Sequence, residues 1–175
     1  MIEERMTVGL VIERQMLGGQ WGGYAWRPVA VFPTPPDVAP WTPLGVFGGS
    51  TRYYAGTYEI ALYSTDTANY RDNLEAAEAK LWVVMRPVGS EPPVEVLALT
   101  ADPAEGEGNT EAGGNMVETV AMPPEVAGVI AQFIAEHHVE RVVYKRQRDR
   151  SHTGRGSGGG RGNDGDGSKG GGTTS

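Results

Sequence analysis

The amino-acid sequence predicts an α+β fold, an antiparallel β-barrel or sandwich of about six strands closed by a C-terminal α-helix. Strand-like alternation of apolar and polar side chains dominates the first 121 residues, and the clearest helical pattern follows it. A regular strand–helix–strand alternation, which would indicate a parallel sheet, does not run through the chain. These two observations favour antiparallel pairing.

Six segments show the alternation, or the short apolar run, that is typical of β-strands. They cover residues 7–16, 26–33, 51–64, 81–85, 94–100 and 116–121. Gly56 lies inside the longest segment and is expected to mark a bend, because glycine inside a strand commonly marks a bulge. Five prolines in residues 33–43 predict an irregular connection, since proline cannot donate to a strand ladder.

Two helices are predicted. Residues 65–67 can cap a short helix that runs to about residue 79. Pro123 and Pro124 begin the second helix, whose apolar side chains recur at helical spacing and form one stripe. Residues 102–114 are acidic and rich in glycine, which predicts a loop or a weak helical turn.

Charge and composition divide the chain near residue 140. Residues 1–140 contain seven basic and nineteen acidic residues, a net charge of −12, whereas residues 141–175 contain eight basic and three acidic residues. From residue 151 onward no apolar side chain is available for a core, so a disordered tail is predicted. The prediction is therefore a globular domain over 1–140 and a tail over 141–175. A tail that touches RNA is the alternative to a solubilising tail.

The expected setting is the cytoplasm. The chain contains no cysteine, which excludes disulfides and cysteine-ligated metals. Its first residues are charged and lack the apolar core of a secretory signal, and no apolar run is long enough to cross a membrane. The acidic domain disfavours a nucleic-acid surface.

No catalytic, metal or cofactor site is predicted. His137 and His138 are adjacent on a helix and point about 100° apart, so they cannot chelate an ion as an i, i+4 pair would. The carboxylates of residues 102–111 do not follow a calcium-loop spacing and indicate a solvated acidic loop. No phosphate-binding glycine loop or nucleophile elbow occurs in a suitable context. The chain is therefore expected not to be an enzyme.

Arginines beside aromatic residues are the candidate binding residues, because basic residues are scarce in the predicted domain. If neighbouring strands place them on one face, they form a site for an anion or a peptide. The candidates are Trp26, Arg27, Arg52, Tyr53, Tyr54, Arg71, Trp82 and Arg86. The alternative is that these arginines are ordinary strand residues paired with Glu13 and Glu59.

Several segments together resemble the uncharacterised domain-of-unknown-function family 3305. They are residues 26–31 (WRPVAV), 51–56 (TRYYAG), 70–74 (YRDNL), 82–86 (WVVMR), 122–123 (MP), 137–140 (HHVE) and 145–150 (KRQRDR). The resemblance covers roughly residues 6–150 and carries over no catalytic residue. It implies a genomic setting near molybdenum-dependent formate dehydrogenases.

The functional hypothesis combines this setting with the lack of catalytic groups. It is a non-catalytic accessory or maturation factor for a formate dehydrogenase or related molybdoenzyme, which acts by contact with a subunit or maturation factor of that enzyme. The alternative is a protein that handles or synthesises the molybdopterin guanine dinucleotide cofactor, with Arg27, Arg52 and Arg86 on its phosphates. A nucleotidyltransferase of that kind would need a Rossmann-like fold, which the sequence does not predict.

Overall fold

The computed structural model describes residues 1–20, 22–111 and 113–140, and shows an α+β domain with two antiparallel sheets. The predicted tail, 141–175, lies outside the described residues. The strands are β1 (Glu3–Met16), β2 (Tyr24–Phe32), β3 (Thr42–Phe47), β4 (Ser50–Tyr63), β5 (Lys80–Pro87), β6 (Val94–Thr100) and β7 (Met116–Ala121). The helices are α1 (Thr67–Glu75), α2 (Pro103–Gly108) and α3 (Pro124–His137), with a 3₁₀ turn at Asn109–Glu111.

The strands form one sheet in the order β2-β1-β4-β3 and a second in the order β6-β5-β7. The predicted α+β class and antiparallel pairing are confirmed. The described residues form two separate sheets and no closed barrel, and they include β3, which the sequence did not predict. β3 begins one residue before Pro43 and pairs with β4 on one side only, so this proline occupies an edge strand.

One hydrophobic core joins both sheets and α3. The first sheet contributes Leu10, Ile12 and Ile60, the second Val83 and Met85, and the helix Ile130 and Phe133. These side chains come from the apolar faces that the alternation and the helical stripe define. Within the described residues no helix is both long and apolar enough to span a bilayer.

Gly56 bends β4 as predicted. Its φ is +147°, and the register of β1 against β4 shifts between Leu10 and Val11, where Leu10 pairs with Gly56 and Val11 with Tyr54. A residue with a Cβ would be strained at this φ. The bulge allows the 14-residue strand to contribute to the core along much of its length.

Tyr70 connects α1 to the end of β4. Its ring packs edge-on against Phe133, and its hydroxyl oxygen accepts a hydrogen bond from the backbone N–H of Tyr63 at 3.0 Å. Burial, which disfavours the charged phenolate, raises the pKa of Tyr70 to about 12. The unfolded chain ionises near the ordinary value of about 10.

The raised pKa predicts alkaline destabilisation that depends on Tyr70. The native state holds the phenolic proton more tightly than the unfolded state, so the stabilisation is complete below pH 10 and declines as the pH rises toward 12. Urea unfolding of the wild type and of Tyr70→Phe should show a wild-type advantage of about 1 kcal/mol at pH 8. That advantage should shrink between pH 10 and 11.5. An advantage that stayed constant with pH would contradict the prediction.

Candidate binding surface

One end of the four-stranded sheet brings distant parts of the chain together. Met16 at the end of β1 pairs with Tyr24 at the start of β2, and Gln15 pairs with Ser50 at the start of β4. Phe47, at the end of β3, also pairs with Ser50. We call this region the sheet end. Two separate parts of the chain form it, the β1–β2 and the β3–β4 connections with their flanking strand ends, so its composition cannot be read from any single motif.

An aromatic cluster lies on one face of the sheet end and consists of Trp26, Trp41 and Tyr53. The ring centroid of Trp26 is 6.0 Å from that of Trp41 and 5.7 Å from that of Tyr53. The guanidinium carbon of Arg14 lies 4.5 Å from the ring centroid of Tyr24 and 5.6 Å from that of Tyr53. These distances are typical of cation–π contacts. The rings and the cation are half-buried, apart from the exposed ring of Tyr24.

Trp41 adopts a backbone conformation that is rare for a large side chain. Its φ is +66°, in the left-handed region, which costs a bulky residue about 1–2 kcal/mol. Its N–H donates a hydrogen bond to the carbonyl of Tyr54, and its ring contacts Trp26 and Tyr53. These contacts hold the ring in the cluster. Backbone strain of this kind is concentrated at functional sites.

The opposite face of the sheet end carries a row of charges across neighbouring strands. Glu13 on β1 is 6% exposed and pairs with Arg27 on β2 at 3.6 Å and with Arg52 on β4 at 3.0 Å. The guanidinium carbon of Arg52 also lies 4.6 Å from the ring centroid of Phe47 on β3. Glu13 and Arg14 are consecutive strand residues, which places their side chains on opposite faces. Two cations share one carboxylate, so the row is positively charged.

Four of the eight sequence-predicted binding residues lie at the sheet end, but on two faces: Trp26 and Tyr53 on one, and Arg27 and Arg52 on the other. The strands therefore do not place these four on one face, as the sequence hypothesis required. Tyr54 follows Tyr53 in β4, so its side chain lies on the other face of the sheet, where it is buried and its ring stacks on Phe32. Arg86 belongs to the other sheet and pairs with Glu95 at 2.7 Å. Arg86 therefore does not lie with Arg27 and Arg52, and the three arginines do not form the anion site that the sequence suggested.

Arg71 and Trp82 have contacts within the fold. Arg71 donates a hydrogen bond to Nε2 of His138 at 3.2 Å. The Trp82 side chain lies against the backbone of Gly106 on α2. Of the carboxylates suggested as partners for the arginines, Glu13 pairs with Arg27 and Arg52, and Glu59 pairs with Arg5.

Sequence reasoning missed three residues of the sheet end, Arg14, Trp41 and Phe47. Arg14 follows Glu13 in a strand whose apolar face ends there, and its register partner on β2 is Trp26. That pairing becomes visible only once β1 and β2 are aligned. Trp41 lies in the proline-rich segment, and nothing in that segment indicates which strands its ring meets.

Exposed apolar side chains surround the arginines and rings and form what we call the apolar rim. Each is between 47% and 73% exposed. They are Met16, Leu17, Tyr24, Val46 and Phe47. Scattered exposed apolar residues are normal on a protein surface, but a group at one sheet end beside aromatic rings is typical of an interaction surface.

A groove of about 400 Å³ adjoins the aromatic cluster. Trp41 and Tyr58 line it together with residues of the β5–β6 connection and the start of β6. Burial, followed by the nearby Tyr54 and Glu95, raises the pKa of the Tyr58 hydroxyl. This hydroxyl is protonated at neutral pH, as that of an ordinary tyrosine is. The groove extends the aromatic cluster with a neutral hydrogen-bonding group.

The fold and this surface define the chain as a small α+β domain with two antiparallel sheets and a cationic, apolar sheet end. Residues 7–148 match the family described as "Protein of unknown function (DUF3305)", so the chain belongs to that family, as the sequence segments indicated. No curated protein and no solved structure matches the chain.

Proposed function

We propose that the domain is a non-catalytic accessory or maturation factor for a formate dehydrogenase or related molybdoenzyme. It acts by protein–protein contact through the sheet end. The observation that supports this proposal is the juxtaposition of the apolar rim with the aromatic cluster and three arginines. Aromatic residues and arginine are enriched in the central, energetically important parts of protein interfaces.

Charge favours a partner segment that is apolar and acidic. Residues 1–140 carry a net charge of −12, yet three of their seven basic residues lie at the sheet end. Glu13 is shared by Arg27 and Arg52, and Arg14 has no ion pair among the described residues. An acidic segment would be attracted to this end and repelled by most of the remaining surface.

The choice of enzyme comes from the family resemblance, which implies a setting near formate dehydrogenases. The residues of the sheet end define only the chemistry of the contact. An apolar segment would cover the rim, while its carboxylates would approach the two arginines that share Glu13. The aromatic cluster lies on the opposite face, so it would contact only a segment that continues round the sheet end, and its rigid rings would lose little side-chain entropy on binding.

Capture of formate dehydrogenase from cells that produce it tests the proposal. The tagged full chain should recover an enzyme subunit or its maturation chaperone, whereas Phe47→Ser and Val46→Ser should each reduce recovery at least tenfold. Both side chains are more than half exposed, so these substitutions leave the core unchanged. Loss of one central apolar contact weakens an interface by about 1.4–2 kcal/mol or more, which corresponds to this factor.

Val129→Ser provides the matched control. Val129 is 45% exposed, close to the 53% of Phe47, but it lies on α3. This variant should recover the enzyme as well as the wild type does. Recovery of neither an enzyme subunit nor a maturation chaperone by the wild type would refute the proposal. Equal loss in all three variants would refute the assignment to the sheet end.

A further inference from the structure

The start of β1 and the end of α3 bring three possible metal ligands together. They are Glu4 on β1 and the adjacent Glu136 and His137 on α3, and one ligand atom from each lies within 4.8 Å of the others. The Nε2 atom of His137 is 3.6 Å from Oε1 of Glu4 and 3.7 Å from Oε2 of Glu136. Glu4 lies more than 130 positions before Glu136 and His137, so no spacing motif could indicate this group.

The separations are those of ligands around a cation. An N–H···O hydrogen bond has its heavy atoms about 2.7–3.2 Å apart, which is shorter than both distances. Zinc binds nitrogen and oxygen at about 2.0–2.2 Å, and a tetrahedral arrangement then places neighbouring ligand atoms about 3.4 Å apart. The spacing of 3.6 and 3.7 Å therefore leaves room for an ion between the imidazole and each carboxylate.

The environment of His137 points to the same conclusion. Its Nε2 atom is buried and has no hydrogen-bond partner among the described residues. The ring packs against Phe133, with centroids 4.6 Å apart, so the imidazole is held in place. A buried polar atom without a partner is costly and calls for an explanation, of which an ion is one. Two carboxylates also converge on this atom, and a cation bound between them would offset their mutual repulsion.

His138 does not contribute a ligand. Its Nε2 accepts a hydrogen bond from Arg71, so in the neutral ring Nδ1 carries the proton and donates it to Oγ1 of Thr67 at 3.0 Å. Both ring nitrogens are thus engaged with α1. The two adjacent histidines have separate neighbours, because α3 ends at His137 and His138 follows it in an extended conformation.

We propose that Glu4, Glu136 and His137 bind a divalent cation of the zinc class, with water in the remaining position. One imidazole and two carboxylates suit Zn²⁺, and the half-exposed carboxylates leave water access to the ion. The ion joins the first strand to the last helix of the domain. This site is independent of the sheet end and of the proposed function.

Calorimetric titration of the metal-free full chain with ZnCl₂ tests the site. One equivalent should bind, and Glu4→Gln and His137→Gln should each weaken binding at least tenfold. At a free zinc concentration of 100 Kd, Tm of the wild type should rise by roughly 8 °C. Cobalt offers a second readout, because tetrahedral Co²⁺ absorbs visible light and this absorption should disappear in both variants.

His152→Gln is the matched control, because it removes a histidine beyond residue 140 and should leave zinc binding unchanged. Absence of zinc binding by the wild type, or equal binding by the wild type and Glu4→Gln, would overturn the proposal. If His137→Gln does not fold, Glu4→Gln decides the matter alone. Its carboxylate is 48% exposed, so the loss of its charge should not prevent folding.

Discussion

Replacement of Asn73 by alanine should destabilise the domain by about 3 kcal/mol and lower Tm by roughly 10 °C. Asn73 on α1 is 3% exposed. Its amide nitrogen donates hydrogen bonds to the carbonyls of Lys80 at 2.8 Å and Ala101 at 2.9 Å, and its amide oxygen accepts one from the N–H of Lys80 at 3.0 Å. Alanine would remove all three bonds and leave the carbonyl of buried Ala101 without this donor.

Two further substitutions at α1 make this expectation specific. Asn69→Ala should cost about 1 kcal/mol, because Asn69 donates a single half-buried hydrogen bond to Asp102 at 3.1 Å. Asn73→Asp should destabilise at least as much as Asn73→Ala, since it would turn a charged oxygen toward two carbonyls. Urea unfolding measures all three. If Asn73→Asp kept wild-type stability, the hydrogen-bonding role assigned to the amide nitrogen would be wrong.

The segments that carry the family resemblance include residues with clear tasks in the fold. Tyr70 and Asn73 join α1 to β4, β5 and the residue after β6. Arg71, between them in sequence, bonds to His138. Polar residues of these segments can therefore be explained by the hydrogen bonds that they form within the fold. The sequence could not distinguish this explanation from a binding role, because the partners lie up to 67 positions away.

The strands and the long helix were predictable because their patterns are local. β6 and β7 coincide with the predicted segments, and α3 begins one residue after the first of the two prolines. β3 was missed because its six residues lack apolar alternation and its pairing depends on β4. The first helix ends at Glu75, not near residue 79, because Asn73 bonds to Lys80, the first residue of β5, five positions beyond the helix.

The sheet end was only partly predictable for the same reason. Residue types indicated Trp26, Arg27, Arg52 and Tyr53, since aromatic and basic residues adjoin one another in those strands. Arg14 and Trp41 join them through cross-strand register and a left-handed backbone conformation. Neither the cross-strand register nor the backbone conformation can be predicted from the neighbouring residues in the sequence. The proximity of Glu4 to His137 likewise depends on how the first strand and the last helix pack.

Gly106→Ala should destabilise the domain by about 2 kcal/mol, although alanine is the better helix former. Gly106 lies in α2, where a Cβ would be only 2.2 Å from Cγ of Trp82, 2.4 Å from its Cδ1 and 2.6 Å from its Cβ. Contacts this short require α2 or the indole ring to move. Gly108→Ala in the same helix meets no heavy atom within 4 Å, so it should change stability by no more than about 0.5 kcal/mol.

A double-mutant cycle with Trp82→Ala identifies the cause of the loss. In the Trp82→Ala background, Gly106→Ala should cost less than in the wild type, because two of the three close contacts disappear with the indole ring. The cost should not vanish, since residue 82 keeps its Cβ at 2.6 Å. Equal costs in both backgrounds would show that the ring does not restrict this position.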